Sequence, residues 1–418
     1  MHEQKVDVLV GHLFRREAGK MTAVLTRLLG FGNFESAQDI VQDTLLKAVT
    51  VWKYKGIPDN PPAWLYTVAK RKAIDALRQY KLRESIHQSI SEALQSEWTL
   101  SPTVHQLFMD NEIEDSQLRM IFACCHPSIP YESQLSLTLK TLCGLSVSEI
   151  ARNFLTTEET IAKRLYRARE KIRSEKIDME VPSGDELTRR LDAVLHTLYL
   201  FFNEGYNSSH PEQLIRQEMC EEAIRLALLL TRNPITNVPS ANALLALMCF
   251  QASREEARLG DSGQIILLKD QDRSRWNKKL IEKGLYHLDV ATEKDSVSEY
   301  HLEAAIGACH AMANNFKATD WARIHTLYDV LYKIKPGPVV ELNRAIALGY
   351  SVSAQAGLES LLMIKGLEET YLYYAALGDF YNEINDPENS RAAYEKAIGL
   401  VTSRRERELL MKKRDTLL

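Results

Sequence analysis

Glycine and proline are scarce in this chain: 18 and 13 residues of 418. The usual shares are about 7% and 5%. So few turn formers argue against a strand-rich fold. There is no G-x-G-x-x-G string and no P-loop pattern, which takes most of the ground from a nucleotide-dependent enzyme. The six cysteines, Cys124, Cys125, Cys143, Cys220, Cys249 and Cys309, are too sparse for a disulfide framework and suit a reducing compartment. The longest apolar run, 243–250, is far short of the ~20 residues a membrane span needs. The first residues lead into no apolar signal core. These absences predict a cytoplasmic protein without a membrane partner and without a cofactor. Cys124-Cys125-His126-Pro127 invites a metal reading, but adjacent cysteines do not match C-x₂₋₄-C ligand spacing. The expectation is no metal, with the two cysteines ending a core helix and Pro127 stopping it.

Charge is present and unevenly placed. The net charge is −4. Residues 1–180 hold 24 Lys/Arg against 23 Asp/Glu, and residues 181–418 hold 28 against 33. Two stretches concentrate cations: 70–83, with Lys70, Arg71, Lys72, Arg78, Lys81 and Arg83, and 160–176, with Lys163, Arg164, Arg167, Arg169, Lys171, Arg173 and Lys176. Two basic clusters on separate helices form a candidate phosphate footprint, with solvated helix faces as the plain alternative.

Hydrophobic residues recur with helical period nearly everywhere, and no alternation is long enough for a sheet. The chain reads as all-α. Helices are expected over about 5–30, 35–53 and 63–82, a weakly patterned linker over 84–112, and four short helices between 113 and 175. Val181-Pro182-Ser183-Gly184 marks a boundary. About eleven further helices follow.

On the 35–53 helix, Ala37, Ile40, Val41, Thr44, Leu45, Ala48 and Trp52 share an apolar face. Asp39, Gln42, Asp43, Leu46 and Thr50 share the other, an acidic-polar stripe with an exposed leucine that suits a basic partner helix. The next helix buries Leu65, Val68, Ala69, Ala73, Ala76 and Leu77. Tyr54, Trp64 and Tyr66 interleave with Lys70, Arg71 and Arg78, a mixture that suits a single nucleic-acid strand, since bases stack on rings and cations track phosphates. Trp52 is expected in the core.

Further on, Ser146 with Glu149 three residues later forms a capping box. Thr156 or Thr157 caps a second helix that buries Ile161, Leu165 and Ala168 and exposes Thr160, Lys163, Arg164 and Arg167. A recognition helix places its first residues on major-groove edges and later cations on phosphates. Leu155 stands where such a turn usually has glycine, which predicts a turn of different shape.

These motifs resemble bacterial sigma factors. Ala37-Gln38-Asp39-Ile40-Val41-Gln42-Asp43-Thr44 and Ala63-Trp64-Leu65-Tyr66-Thr67-Val68-Ala69, in that order, are similar to sigma region 2. Residues 146–170 are similar to the region 4 helix-turn-helix. The two lie close together with no room for region 3, as in the extracytoplasmic-function (group 4) branch. The resemblance implies that Asp39, Gln42, Asp43 and Leu46 bind core RNA polymerase through the β′ clamp helices, with the β subunit also a partner. It implies that Tyr54, Trp64, Tyr66, Lys70, Arg71 and Arg78 meet the melted −10 strand, and that Thr160, Lys163, Arg164 and Arg167 meet the −35 duplex. Promoter DNA is the nucleic-acid partner, and no catalytic residue is implied.

The C-terminal half is larger than a minimal sigma factor needs. Leu377, Gly378, Tyr381, Tyr394 and Ala397 fit tetratricopeptide positions, as do Tyr328, Leu331 and Pro336. The strings Phe201-Phe202-Asn203-Glu204-Gly205-Tyr206, Asp270-Gln271-Asp272-Arg273-Ser274-Arg275-Trp276, Thr319-Asp320-Trp321 and Pro338-Val339-Val340-Glu341-Leu342-Asn343-Arg344-Ala345 resemble the group 4 branch with a long helical, tetratricopeptide-like extension. Asp272 and Arg275, at i and i+3, suit a structural ion pair.

The expected domains are therefore region 2 over 1–83, a linker over 84–112, region 4 over 113–180 and the extension over 185–418. The extension is expected to regulate in cis and to offer a groove for a protein or peptide regulator. A cut after about Ser183 is expected to leave the sigma core folded. The competing reading is a helix-turn-helix transcriptional regulator with a peptide- or protein-binding repeat domain, which leaves the 35–53 helix unexplained. An enzyme built on Glu204, His301 or His310 finds no nucleophile–base spacing.

Overall fold

The computed structural model describes residues 2–80, 97–154, 156–207, 215–260, 263–293 and 297–417. Among them the regular elements are nineteen α-helices with short 3₁₀ turns, and the one β-type pairing is an isolated bridge between Leu259 and Ile265. The all-α expectation holds. The chain divides into two units, Met1–Glu204 with Glu221–Leu230, and Gly205–Cys220 with Thr231–Leu418. That division does not coincide with the boundary read at 181–184, because helix formation resumes at Gly184 and the new helix stays with the first unit.

In the first unit, α1 (His2–Leu29) turns Met21, Val24, Leu25 and Leu28 inward at helical spacing. Against them pack Ala37, Ile40, Val41, Ala48 and Trp52 of α2 (Phe34–Lys55) and Leu65, Ala69, Ala73 and Leu77 of α3 (Pro61–Tyr80). These are the stripes the periodicity predicts. The predicted linker is in part a helix: α4 (Glu97–Leu107) adds Val104 and Leu107 to the same core, joined by Phe108. Residues 81–96, with Lys81 and Arg83, lie outside the described residues.

Four helices follow: α5 (Asp110–Cys124), α6 (Tyr131–Thr141), α7 (Val147–Asn153) and α8 (Glu158–Ser174). Cys124 does end its helix, and Cys124 and Cys125 are buried. Cys124 Sγ lies 3.5 Å from Thr141 Oγ1, and burial pushes the Cys125 thiol up to about 11, so both remain neutral. Two more helices, α9 (Gly184–Tyr206) and α10 (Gln217–Arg232), contribute to this unit through 184–204 and 221–230.

The second unit is organised around α11 (Pro239–Ala252). Residues 241–250 are all buried, and apart from Asn242 all are apolar, so this helix must be wrapped by others. The wrapping is close. A Cβ on Gly284 of α12 (Lys278–Ala291) would lie 2.7 Å from the Phe250 ring. On α13 (Glu299–Met312), Gly307 faces the same ring. Then come α14 (Trp321–Ile334), α15 (Pro338–Ser351), α16 (Ala354–Leu362), α17 (Tyr371–Glu383), α18 (Pro387–Leu400) and α19 (Arg404–Asp415). Consecutive helices pack on each other; at the α17–α18 crossing Ser390 Oγ donates to the Gly378 carbonyl at 2.8 Å beneath the Tyr394 ring.

The 270–276 string is structural, but not through the pair read from its spacing. Asp272 accepts from the Ser274 amide at 2.9 Å and caps a short turn, and those bonds hold its carboxyl below the usual range. The anchoring residue is Arg273. It donates to the carbonyls of His310 and Ala313, the latter at 3.1 Å, and to Thr319 Oγ1 at 3.1 Å. Its guanidinium also lies over the Trp276 ring at 4.7 Å, with that of Arg254 at 5.3 Å. The string thus ties to the Thr319-Asp320-Trp321 string. Arg273→Ala is expected to destabilise the second unit by about 3 kcal/mol, since charged-donor bonds to half-buried carbonyls and a cation–π contact are lost together. Arg275→Ala, at an exposed position, should cost no more than about 0.5 kcal/mol. Denaturant titration of both variants checks the contrast.

Candidate nucleic-acid interface

The outer face of α2 is as the sequence suggests: Asp39, Gln42, Asp43 and Leu46 are exposed. Leu46 is 66% exposed, and Val49, three residues on and missed in the sequence reading, is 53% exposed. Two bare aliphatic side chains beside two carboxylates make a mixed apolar-acidic stripe. Asp43 is not isolated, for Lys72 Nζ of α3 donates to its Oδ2 at 2.8 Å.

On and before α3 the six predicted residues have different surroundings. Tyr54 is 81% exposed near the end of α2, where Gly56 turns the chain at φ 79°. Arg71 and Arg78 are exposed, Arg78 lying 3.9 Å from Asp75. Trp64 is half-buried, edge-on to the core Trp52 with ring centres 5.5 Å apart. Lys70 reaches over the Phe108 ring at 5.4 Å, and partial burial pushes its ammonium down.

Tyr66 has a partner that its sequence neighbours do not suggest. Its hydroxyl donates to Glu17, a fully buried carboxylate on α1 that also meets Lys20 at 3.0 Å. Burial first, and then the Glu17 charge, push the phenol far above its usual range. The ring packs against Phe108 at 5.7 Å. Tyr66 is a strut between α1 and α3, and its hydroxyl is already engaged.

The helix-turn-helix is built by its caps. Ser146 Oγ accepts from the Glu149 amide at 3.1 Å while Glu149 Oε2 accepts from the Ser146 amide at 2.7 Å. Thr157 caps α8 by accepting from the Thr160 amide at 3.2 Å. Leu155, the residue of the turn, lies outside the described residues. Ile161, Leu165 and Ala168 are buried. The opposite face presents Lys163, paired with Glu159 at 2.7 Å, and the exposed Arg167. Thr160 is half-buried beside its cap. Arg164 is only 22% exposed and lies 3.9 Å from Glu132. Tyr166, unmentioned in the sequence reading, stands 61% exposed between these cations. Arg169 and Arg173, counted in the basic cluster, both pair with Glu35, at 2.9 and 2.6 Å.

The histidines weighed for catalysis have structural surroundings. His301 accepts at Nδ1 from the Ser298 amide at 3.0 Å. His310 lies edge-on to Trp321, and burial, with Arg254 and Arg273 adding repulsion, pushes its imidazole down to about 3.

Residues 13–83 match Sigma-70 region 2, and residues 119–172 match Sigma-70, region 4. Both matched spans carry the faces described above. The chain belongs to the extracytoplasmic-function-like sigma factors with a C-terminal extension. Residues 190–292 of that extension match a family of unknown function (DUF6596). An uncharacterized protein of Rhizobium meliloti (strain 1021), R00370, is 34% identical over 380 residues, covering 89% of this chain and 88% of the relative. The RNA polymerase sigma factor SigV of Bacillus subtilis (strain 168) is 27% identical over 137 residues, 32% of this chain and 73% of that protein. No solved structure matches. This sigma factor is an RNA polymerase initiation factor that binds core polymerase and promoter DNA, and it is not an enzyme. Among the described residues no helix is long and apolar enough to cross a membrane.

Proposed function

We propose that this sigma factor divides promoter recognition between the two faces of its first unit and is regulated in cis by its second. Asp39, Gln42, Asp43 and Leu46 dock on the β′ clamp helices, with Val49 extending the apolar contact. Tyr54, Trp64, Lys70, Arg71 and Arg78 follow the melted −10 strand, with Tyr66 holding α3 in place from behind. Thr160, Lys163, Arg164 and Arg167 meet the −35 duplex. The observation that carries this reading is the ordered pair of faces on separate helices: an acidic-apolar stripe on α2 followed by cationic surfaces on α3 and α8. The second unit supplies a tetratricopeptide-like surface for a protein or peptide regulator. A cavity of about 350 Å³ lined by Leu362, Tyr373, Tyr374, Tyr381 and Lys396 supports that role, since aromatic walls with one cation suit a peptide side chain. The site of action is the cytoplasm, where the polymerase is.

Run-off transcription with purified core polymerase tests the reading. The chain is expected to yield specific transcripts from promoters of its own genome. A chain that binds duplex DNA tightly by itself but yields no specific transcript is instead a helix-turn-helix regulator.

A further inference from the structure

Three partly buried arginines of this chain show the usual arrangement, each against a carboxylate. Arg27 meets Glu112 at 2.9 Å, Arg225 meets Glu222 at 2.7 Å and Arg344 meets Asp329 at 2.5 Å. Arg254, Arg258 and Arg273 of the second unit are different. Among the described residues they find only neutral partners, although acids outnumber cations over 181–418. Arg254 Nε donates to Gln271 Oε1 at 3.3 Å and makes no other hydrogen bond among the described residues. Arg258 donates to the Tyr206 carbonyl and to Asn207 Oδ1. Arg273 spends its Nη donors on two carbonyls and a hydroxyl.

The unmet charges are gathered at one ring. The Arg273 and Arg254 guanidiniums lie 4.7 and 5.3 Å from the centre of Trp276, a side chain only 3% exposed. Burial first, and then a neighbouring arginine, push both guanidiniums down: Arg258 acts on Arg254, and Arg254 acts on Arg273. Donors in the same cluster are unspent as well. Arg273 Nε, Trp276 Nε1 and His310 Nδ1 are shielded from solvent and have no hydrogen-bond partner. Repeated, like-signed charge without a counter-charge is costly in a protein interior, and so is an unmet buried donor. An anion relieves both at once.

We propose that Arg254, Arg273 and Trp276 form a binding site for a phosphate group, free as inorganic phosphate or carried on a small molecule. Three neighbouring guanidiniums call for more than one negative charge, which a phosphate group supplies and a carboxylate does not. Arginine forks suit its oxygens, and a tetrahedral group accepts from donors that approach in different directions. Arg254 is half-buried, so its free Nη groups are within reach of a ligand from solvent. The site lies wholly in the second unit, apart from the promoter-reading surfaces of the first. It joins the end of α11 to the 270–276 string, so occupancy stabilises the unit that carries them.

Calorimetric titration of the full-length chain at about pH 8 tests this, with inorganic phosphate, O-phosphoserine and acetate as probes and ionic strength held by potassium chloride. Both phosphate compounds are expected to bind with a Kd of about 0.1 mM, and acetate at least about tenfold more weakly. Tighter binding of O-phosphoserine assigns the site to a phosphate ester, and tighter binding of inorganic phosphate assigns it to the free ion. At about 10 mM phosphate the melting temperature should rise by about 5 °C. Arg254→Gln should weaken phosphate binding at least about 30-fold and, without phosphate, should melt no lower than wild type, because it removes an unmet charge. Arg275→Ala, at the exposed neighbouring arginine, should bind phosphate as wild type does. A wild-type chain that ignores phosphate, or that binds acetate equally well, overturns the site. So does an Arg254→Gln chain that keeps phosphate affinity. An Arg254→Gln chain that melts several degrees lower without phosphate shows that Arg254 is a structural tie, and overturns it too.

Discussion

Cutting the chain after Ser183 is expected to unfold the sigma core rather than release it. The sequence expectation was the reverse, because Val181-Pro182-Ser183-Gly184 reads as an interdomain stop. In the structure it is only an irregular connection running into a helix of the same unit, and 184–204 and 221–230 belong to the body that contains regions 2 and 4. Leu191, Val194, Leu195, Leu198, Phe201 and Phe202 of α9 are buried. Thr197 Oγ1 lies 3.9 Å from Cys125 Sγ, and the His196 and Tyr131 rings are 5.5 Å apart. On α10, Arg225 donates to Gln117 at 3.0 Å and to Glu222 at 2.7 Å, so a largely buried cation bridges to α5 with its charge met. Burial of six large apolar side chains is worth on the order of 10 kcal/mol, which rivals the whole stability of a typical domain. A 1–183 fragment should lose cooperative unfolding or melt at least ~10 °C below a 1–232 fragment. Calorimetry of the two fragments checks this; equal cooperative transitions would sink it. Transcription lost on the shorter cut therefore measures stability, and only the longer cut isolates regulation.

What the sequence makes legible follows the range of the interactions. Helical stripes on α2, α3 and α8 are set by residues three and four apart, and Ile40, Val41, Leu65, Ile161 and Leu165 are buried as their spacing requires. The Ser146–Glu149 box is equally local. Trp52, expected in the core, is there. Partners far along the chain were not legible. Tyr66 looked like a base-stacking ring because its neighbours are cationic, and nothing nearby betrays the carboxylate of Glu17, 49 residues earlier. Arg169 and Arg173 looked like part of one phosphate-binding cluster, yet Glu35 takes both. Asp272 and Arg275 had the right spacing for an ion pair, but spacing cannot show that Arg273 reaches carbonyls on a helix 37 residues on. Glycines in helix interiors are a local sign of long-range contact, as Gly284 and Gly307 are against the Phe250 ring.

Reversing Asp39 and Asp43 together to lysine is expected to abolish most core-polymerase binding while leaving the fold intact. Both carboxylates are exposed on α2, opposite the stripe of Ala37, Val41, Thr44 and Ala48 that holds the helix to its unit. Lysine is as good a helix former as the residues it replaces. The structural loss is the Asp43–Lys72 pair at 2.8 Å, with side chains 63% and 32% exposed. Such surface pairs contribute about 0–1 kcal/mol, so the melting temperature should move by no more than a few degrees. On the proposed docking to a basic partner helix the binding loss is larger, because each reversal replaces an attraction with a repulsion. Charge pairs closed off from water at an interface are worth about 2–5 kcal/mol when one partner is lost, so the double variant should bind core polymerase at least 100-fold more weakly. Leu46→Asp supplies an independent arm: it removes an exposed aliphatic contact, costs nothing in the core, and should weaken binding without altering helicity. Titration against core polymerase alongside thermal melting separates the roles. If affinity and melting temperature fall together in the charge-reversed chain, the acidic stripe serves folding, and the polymerase-docking face must be sought elsewhere on the unit.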